Sequence, residues 1–140
     1  MTTPAAEMAT VQALLAALEN AGHCVPSRHV ADPAAVSRDA ELSDAQLAGR
    51  DLSWLAGCNA VIAEVSTPSH GVGVEVMAAS AAGIPILALA RRGARVSRLL
   101  AGLPGVRLAP YDSVEQAAAQ AIQFLASMSS AIGPEGTDVH

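Results

Sequence analysis

At 140 residues the chain is long enough for one domain that buries its own core without disulfides or metals, but its 51% hydrophobic share includes 31 alanines, so large side chains are scarce. A net charge of −5 opposes a polyanion such as DNA, whose binding rests on phosphate neutralisation, and Trp54, Tyr111 and Phe124 are too few for a base-stacking platform. The longest apolar run, 84–90, contains Pro85 and falls far short of the ~20 residues of a membrane span, so neither nucleic acid nor membrane is expected as a partner.

The first residues, Met1 to Glu7, lack the basic start and apolar core of a secretory signal, which predicts a cytoplasmic protein. Met8, Val11, Leu15 and Leu18, with Leu14 beside them, recur at helical steps and predict an amphipathic helix over 5–20 that Gly22 ends. A short strand at 24–26 follows, then a polar loop, Arg28-His29-Val30-Ala31-Asp32-Pro33, bending at the proline. A second helix over 43–55 carries Leu42, Leu47, Leu52 and Leu55, with Leu52 and Leu55 turned inward, and stops before Gly57. Cys24 and Cys58 have no close spacing and are expected as buried thiols of a reducing compartment.

The run 60–65, Ala-Val-Ile-Ala-Glu-Val, is β-branched without strict alternation and predicts a buried parallel strand. Helix resumes near Gly71 and continues to Gly83, 84–90 is a second buried strand, and the two strands with their helix form a β-α-β unit. A final short strand at 105–108 precedes a helix through Val114, Ala118, Ala121, Ile122 and Leu125, for which Asp112 and Glu115 give the capping signature. These elements predict a Rossmann-like α/β fold, an open and mainly parallel sheet flanked by helices. It forms a single domain over 1–127 with a flexible tail over 128–140. The thin supply of large side chains predicts a homodimer, in which a second subunit completes the burial.

Ligands of open parallel sheets sit beyond the carboxyl ends of the strands, which directs attention to 64–75. There a strand passes into a helix through Ser66-Thr67-Pro68-Ser69-His70-Gly71-Val72-Gly73. Ser69 is the expected N-cap, and the free N–H groups at that positive end suit a phosphate. Glu75, about one turn in, suits attack on a sugar carbon as an ionised carboxylate. The same spacing equally fits glycines that permit tight strand-to-helix packing and a Glu75 that is only a solvated first-turn acid. A dinucleotide fingerprint fails, because Val76 stands where its third glycine belongs, and no P-loop lysine follows. Asp51 can face the same strand ends or be an ordinary surface acid. Arg91, Arg92 and Arg95, close to Ser97, form either a second anion contact or a solvated basic loop. His29 fits a plain loop histidine, and His23, His70 and His140 have no metal-ligand spacing.

With these residues assembled, the sequence resembles the 2′-deoxynucleoside 5′-phosphate N-hydrolases, a branch of the nucleoside 2-deoxyribosyltransferase superfamily. The resemblance covers roughly 23–102. It is carried by His29-Val30-Ala31-Asp32, by Asp51-Leu52-x-Trp54-Leu55, and by Ala63-Glu64-Val65-Ser66-x-Pro68-Ser69-x-Gly71-Val72-Gly73-x-Glu75. It implies retaining cleavage of the N-glycosidic bond of a nucleoside 5′-monophosphate substrate, without metal or organic cofactor. Glu75 would be the nucleophile at C1′ and Asp51 the acid that orients the sugar and helps protonate the departing base. Ser69, with Gly71 and Gly73 in the same loop, would bind the 5′-phosphate, Ser97 would reach a phosphate across a dimer interface, and His29 would sit near the nucleotide. Family members begin with a central strand ending in a Gly-Ser-Ile-Arg-like loop, whereas this sequence starts at what corresponds to the following helix. Either the chain begins later than its functional parent, or the sheet is rebuilt through a partner. Transfer of the sugar to a second base, or nucleotide binding without turnover, are the alternatives to hydrolysis.

Overall fold

The computed structural model describes residues 5–32, 34–129 and 139–140. Among the described residues six α-helices, α1 (Ala5–Asn20), α2 (Ala35–Asp39), α3 (Asp44–Ala56), α4 (His70–Ala81), α5 (Arg98–Ala101) and α6 (Val114–Ser129), accompany three strands, β1 (Val61–Glu64), β2 (Ile86–Arg91) and β3 (Val106–Tyr111). The sheet is parallel throughout in the order β1-β2-β3, with Val61 opposite Ile86 and Ile86 opposite Val106. This is the α/β fold expected from the alternation of elements.

Alternation along β2 divides the core into two layers. Leu87 and Leu89 join Leu14 and Leu18 of α1 and Phe124 and Leu125 of α6 on one face. On the other face, Ile86, Ala88 and Ala90 pack with Val76 and Ala79 of α4 and Leu55 of α3. Small side chains bring the helices close to the sheet: Ala79, Ala88, Ala117 and Ala121 are all fully buried.

Local signals set the helix ends. At the end of α1, Gly22 adopts φ +89°, while its N–H donates to the Glu19 carbonyl and that of His23 to the Leu18 carbonyl, both at 3.0 Å. Gly83 closes α4 in the same way at φ +73°, a conformation that glycine adopts without steric cost. Ser43 and Gln46 form a capping box at α3, with bonds of 3.2 and 2.9 Å.

Several expectations are corrected. The stripe buried on α1 is Glu7, Thr10, Leu14 and Leu18, because the helix is rotated to turn Val11 and Leu15 toward a cavity. On α3 Leu55 is buried, but Leu52 faces outward. Cys58 is buried and Cys24 exposed, neither in a disulfide. The strand expected at 24–26 is reduced to a bridge at Cys24, and 26–31 coil into a 3-10 helix. Helices α2 and α5 went unread because segments of 5 and 4 residues are too short to show a period. β3 runs on to Tyr111. The cap of α6 lies one residue later than expected: Ser113 accepts from Gln116 N at 3.2 Å, while Gln116 accepts from Asp112 N at 2.7 Å. α6 continues to Ser129, into the tail expected over 128–140. At its end Val139 bridges Ala60 in parallel beside β1. Residues 130–138 lie outside the described residues. Among the described residues no helix is long and apolar enough to cross a membrane.

The cationic cluster also divides. Arg92 holds Asp112 through two bonds of 2.8 and 2.9 Å, and this hydrogen bonding lowers the Asp112 pKa from its ordinary value. A carboxylate whose pKa is depressed in the folded state contributes stability above its unfolded pKa and loses it as pH falls through the folded value. Asp112→Asn should therefore flatten slightly the acid limb of a stability-versus-pH curve followed by thermal melting, with no change near neutrality beyond that of an exposed pair.

Candidate active site

β1 is an edge strand, and a cavity of about 230 Å³ runs along its open side between α1 and α4. The walls are apolar where Leu14, Leu15, Val61 and Val76 line them. Into this space project Glu7, Glu64, Glu75, Ser69, Thr67, Arg28 and His140.

Ser69 holds extended backbone at φ −137° and accepts from Val72 N at 3.4 Å, as expected of the N-cap of α4. A Cβ on Gly73 would meet nothing within 4 Å, and one on Gly71 only Ser69 Oγ at 3.9 Å. Tight packing therefore does not explain these glycines; they leave the positive start of α4 uncovered. Glu75 follows on the same helix, its side chain 29% exposed, with Oε1 3.4 Å from His140 Nε2. Ser69 and Glu75 thus share the cavity.

Two carboxylates there were not singled out from the sequence. Glu64, the last residue of β1, accepts from Tyr111 Oη at 2.9 Å and from Ser66 Oγ. Ser66 Oγ in turn accepts from Arg91 N at 2.8 Å. The network ties the carboxyl ends of all three strands together and fixes the start of the 66–69 loop. Glu7 is buried on α1 and accepts from Thr67 Oγ1, which pins the middle of that loop. The sequence held a weak signal for Glu64, an acid within an apolar strand, since such residues are buried only with partners.

Asp51 does not line this cavity. Its carboxylate accepts from Arg50 Nε at 2.8 Å, and the same guanidinium reaches Asp39 at 2.8 Å and lies 4.7 Å above the Trp54 ring. The hydrogen bonds that Arg50 donates to Asp39 first and Asp51 second raise its pKa, so Arg50 stays charged.

Ser97 caps α5, accepting from Leu100 N at 3.5 Å. It lines a second cleft of about 340 Å³ with Ser69, His70, Gly73 and Arg95, so two of the serines expected at a phosphate meet at one opening. Gly71 lines neither space. Apart from Thr67 the rest of this cleft is apolar, rimmed by Met77, 51% exposed, and Leu99, 80% exposed. The backbone of His29 lies in the 3-10 helix, and its side chain falls outside the described residues.

No family model matches the chain. Among curated proteins it is 41% identical over 93 residues to a 2′-deoxynucleoside 5′-phosphate N-hydrolase 1 of Methanococcoides burtonii, covering 66% of this chain and 76% of that one. It is 35% identical over 114 residues to the protein of that name in Thermofilum pendens, covering 79% of each. The 5-hydroxymethyl-dUMP N-hydrolase of Mus musculus is 39% identical over 97 residues, covering 66% of this chain and 56% of its own length. Among solved structures, the CMP N-glycosidase BcmB of Clostridium botulinum shares the fold, with a TM-score of 0.66, 23% identity, and coverage of 84% of this chain and 90% of that one. Relatives this similar across more than three quarters of their own length settle the matter: the chain belongs to the 2′-deoxynucleoside 5′-phosphate N-hydrolase family.

Proposed function

We propose that the protein hydrolyses the N-glycosidic bond of nucleoside or 2′-deoxynucleoside 5′-monophosphates, giving free base and (2-deoxy)ribose 5-phosphate. The observation that carries this reading is the half-buried carboxylate of Glu75 in one cavity with the Ser69-capped, uncovered start of α4. Phosphate sits at the helix end, where the Ser69 hydroxyl and the positive end of α4 receive it. Anchored there, the sugar presents C1′ to Glu75.

The carboxylate attacks C1′ from the face opposite the base. A C–O bond forms as the C1′–N bond breaks, and its electron pair leaves with the base nitrogen, which takes a proton. Water then attacks C1′ of the glutamyl ester, frees the carboxylate and gives up a proton, so two displacements retain configuration. For Asp51 to protonate the departing base, as the family resemblance implies, it must release Arg50, take up a proton and turn into the cavity, which it does not line here. The site residues require no cofactor for these steps. Incubation with a panel of nucleoside and deoxynucleoside 5′-monophosphates, read by chromatography, should yield free base and sugar phosphate; added free base giving a new nucleotide instead would mark a transferase.

Homodimerisation through the second cleft completes the proposal, with Ser97 reaching a phosphate bound by the partner subunit. Support comes from the exposed apolar rim of Met77 and Leu99 beside Ser97 and Ser69, of the kind that marks an interface. Sedimentation should show twice the 14.1 kDa chain mass for the natural chain and a single chain for Leu99→Glu; a monomeric natural chain would overturn this part. A cytoplasmic site of action accords with two cysteines outside any disulfide.

A further inference from the structure

Residues 139 and 140 are held by three backbone bonds, two at the open edge of β1 and one to Cys24. Val139 N donates to the Cys24 carbonyl at 2.8 Å, His140 N to the Ala60 carbonyl at 3.1 Å, and Ile62 N to the His140 carbonyl at 2.9 Å. Val139 is fully buried. Backbone pairing and burial of an apolar side chain offset the entropy lost in ordering the segment, so the placement of His140 is built into the fold.

The consequence is chemical. The His140 side chain is only 6% exposed, it lines the Glu75 cavity, and its Nε2 lies 3.4 Å from Glu75 Oε1. Nδ1 is buried with no hydrogen-bond partner. A ring proton on Nδ1 would have no acceptor, whereas on Nε2 it faces a carboxylate, which sets the tautomer. The other charged groups facing this space are Glu7 from α1, Arg28 from the 3-10 helix and Glu64 from β1. Glu7 and Glu64 are already engaged with Thr67, Tyr111 and Ser66 and Arg28 is paired with Glu19 at 3.0 Å, so His140 is the group placed against Glu75.

We propose that His140 is a positioning residue for Glu75: Nε2–H donates to Oε1, fixes the carboxylate rotamer, and leaves Oε2 to form the bond to the sugar carbon. The inference rests on Glu75 being the nucleophile. A contact of this length in a site without substrate is of the kind that tightens when substrate binds.

The full chain tests it by steady-state kinetics on a deoxynucleoside 5′-monophosphate and by imidazole ¹⁵N resonances. His140→Ala should lower kcat roughly 10- to 100-fold with KM little changed, the size expected when a reacting group is misplaced by about an ångström. His140→Gln, which keeps a side-chain N–H donor, should recover most of that loss. In the absence of substrate, Glu75→Gln should shift the His140 Nε2 resonance. Equal losses in the Ala and Gln variants, or an unmoved Nε2 resonance, would overturn the assignment. With Glu75→Ala inactive, wild-type kcat in His140→Ala removes only the role of His140. If Glu75→Ala itself turns over normally, the nucleophile reading falls and this one with it.

Discussion

Glu75→Ala should lose base release from nucleoside 5′-monophosphates by about 10³-fold or more in kcat, equivalent to about 4 kcal/mol in the barrier at 1.36 kcal/mol per tenfold. The variant keeps the cavity walls and the Ser69 cap but has no oxygen to bond C1′, so both displacements fail. Substrate binding should survive, because the proposed phosphate site is the Ser69-capped start of α4 and not the carboxylate. Calorimetry on the variant should show nucleotide bound and uncleaved. Acid quenching of the natural enzyme during turnover, followed by peptide mass spectrometry, should find the sugar phosphate on Glu75. Unchanged base release by Glu75→Ala would sink the covalent mechanism. Failure to cleave any member of the panel by the natural chain, with nucleotide still bound, would favour a binding protein.

Leu125→Ala should cost about 3 kcal/mol and lower the melting temperature by roughly 10 °C. Leu125 is fully buried on α6, with Ala117 and Ala121 on the same helix and Leu87 and Leu89 of β2 across the layer. The loss falls well within the 2–5 kcal/mol range of buried leucine truncations, because alanine neighbours have no flexible side chain to swing into the space. Small side chains allow helices to approach the sheet closely, and they also leave the void unfilled. Val36→Ala, at a side chain that is 75% exposed on α2, should stay within about 0.5 kcal/mol of the natural chain. Thermal melting of the pair measures the difference directly. Equal melting temperatures would mean that the α6 layer relaxes to fill the void.

Where the relevant partners lie within a few residues, the sequence was informative. A β-branched apolar run marked β1, an apolar run marked β2, and glycine with the polar loop marked the strand-to-helix turn. Ser69 was legible as a cap because its partner is Val72, three residues on. Glu75 was legible as a carboxylate one turn into that helix. Leu52 was misjudged because helical spacing defines a stripe, and only packing decides which side of the stripe meets the sheet. Likewise Asp51 sits on the expected helix, yet the geometry of Arg50, Asp39 and Trp54 turns its carboxylate away from the cavity.

A parallel α/β domain, a helix end suited to phosphate and a carboxylate one turn beyond it are legible in the sequence alone. Those properties follow from residue type and short-range periodicity, which survive without knowledge of the rest of the chain. The company that carboxylate keeps is set by the folded chain. Tyr111 meets Glu64 across 47 positions and Thr67 meets Glu7 across 60, while His140 reaches Glu75 from a segment whose composition predicts fraying. Such contacts are set by which backbone edge is left open and by what buries against it, and no local pattern of residues encodes either one.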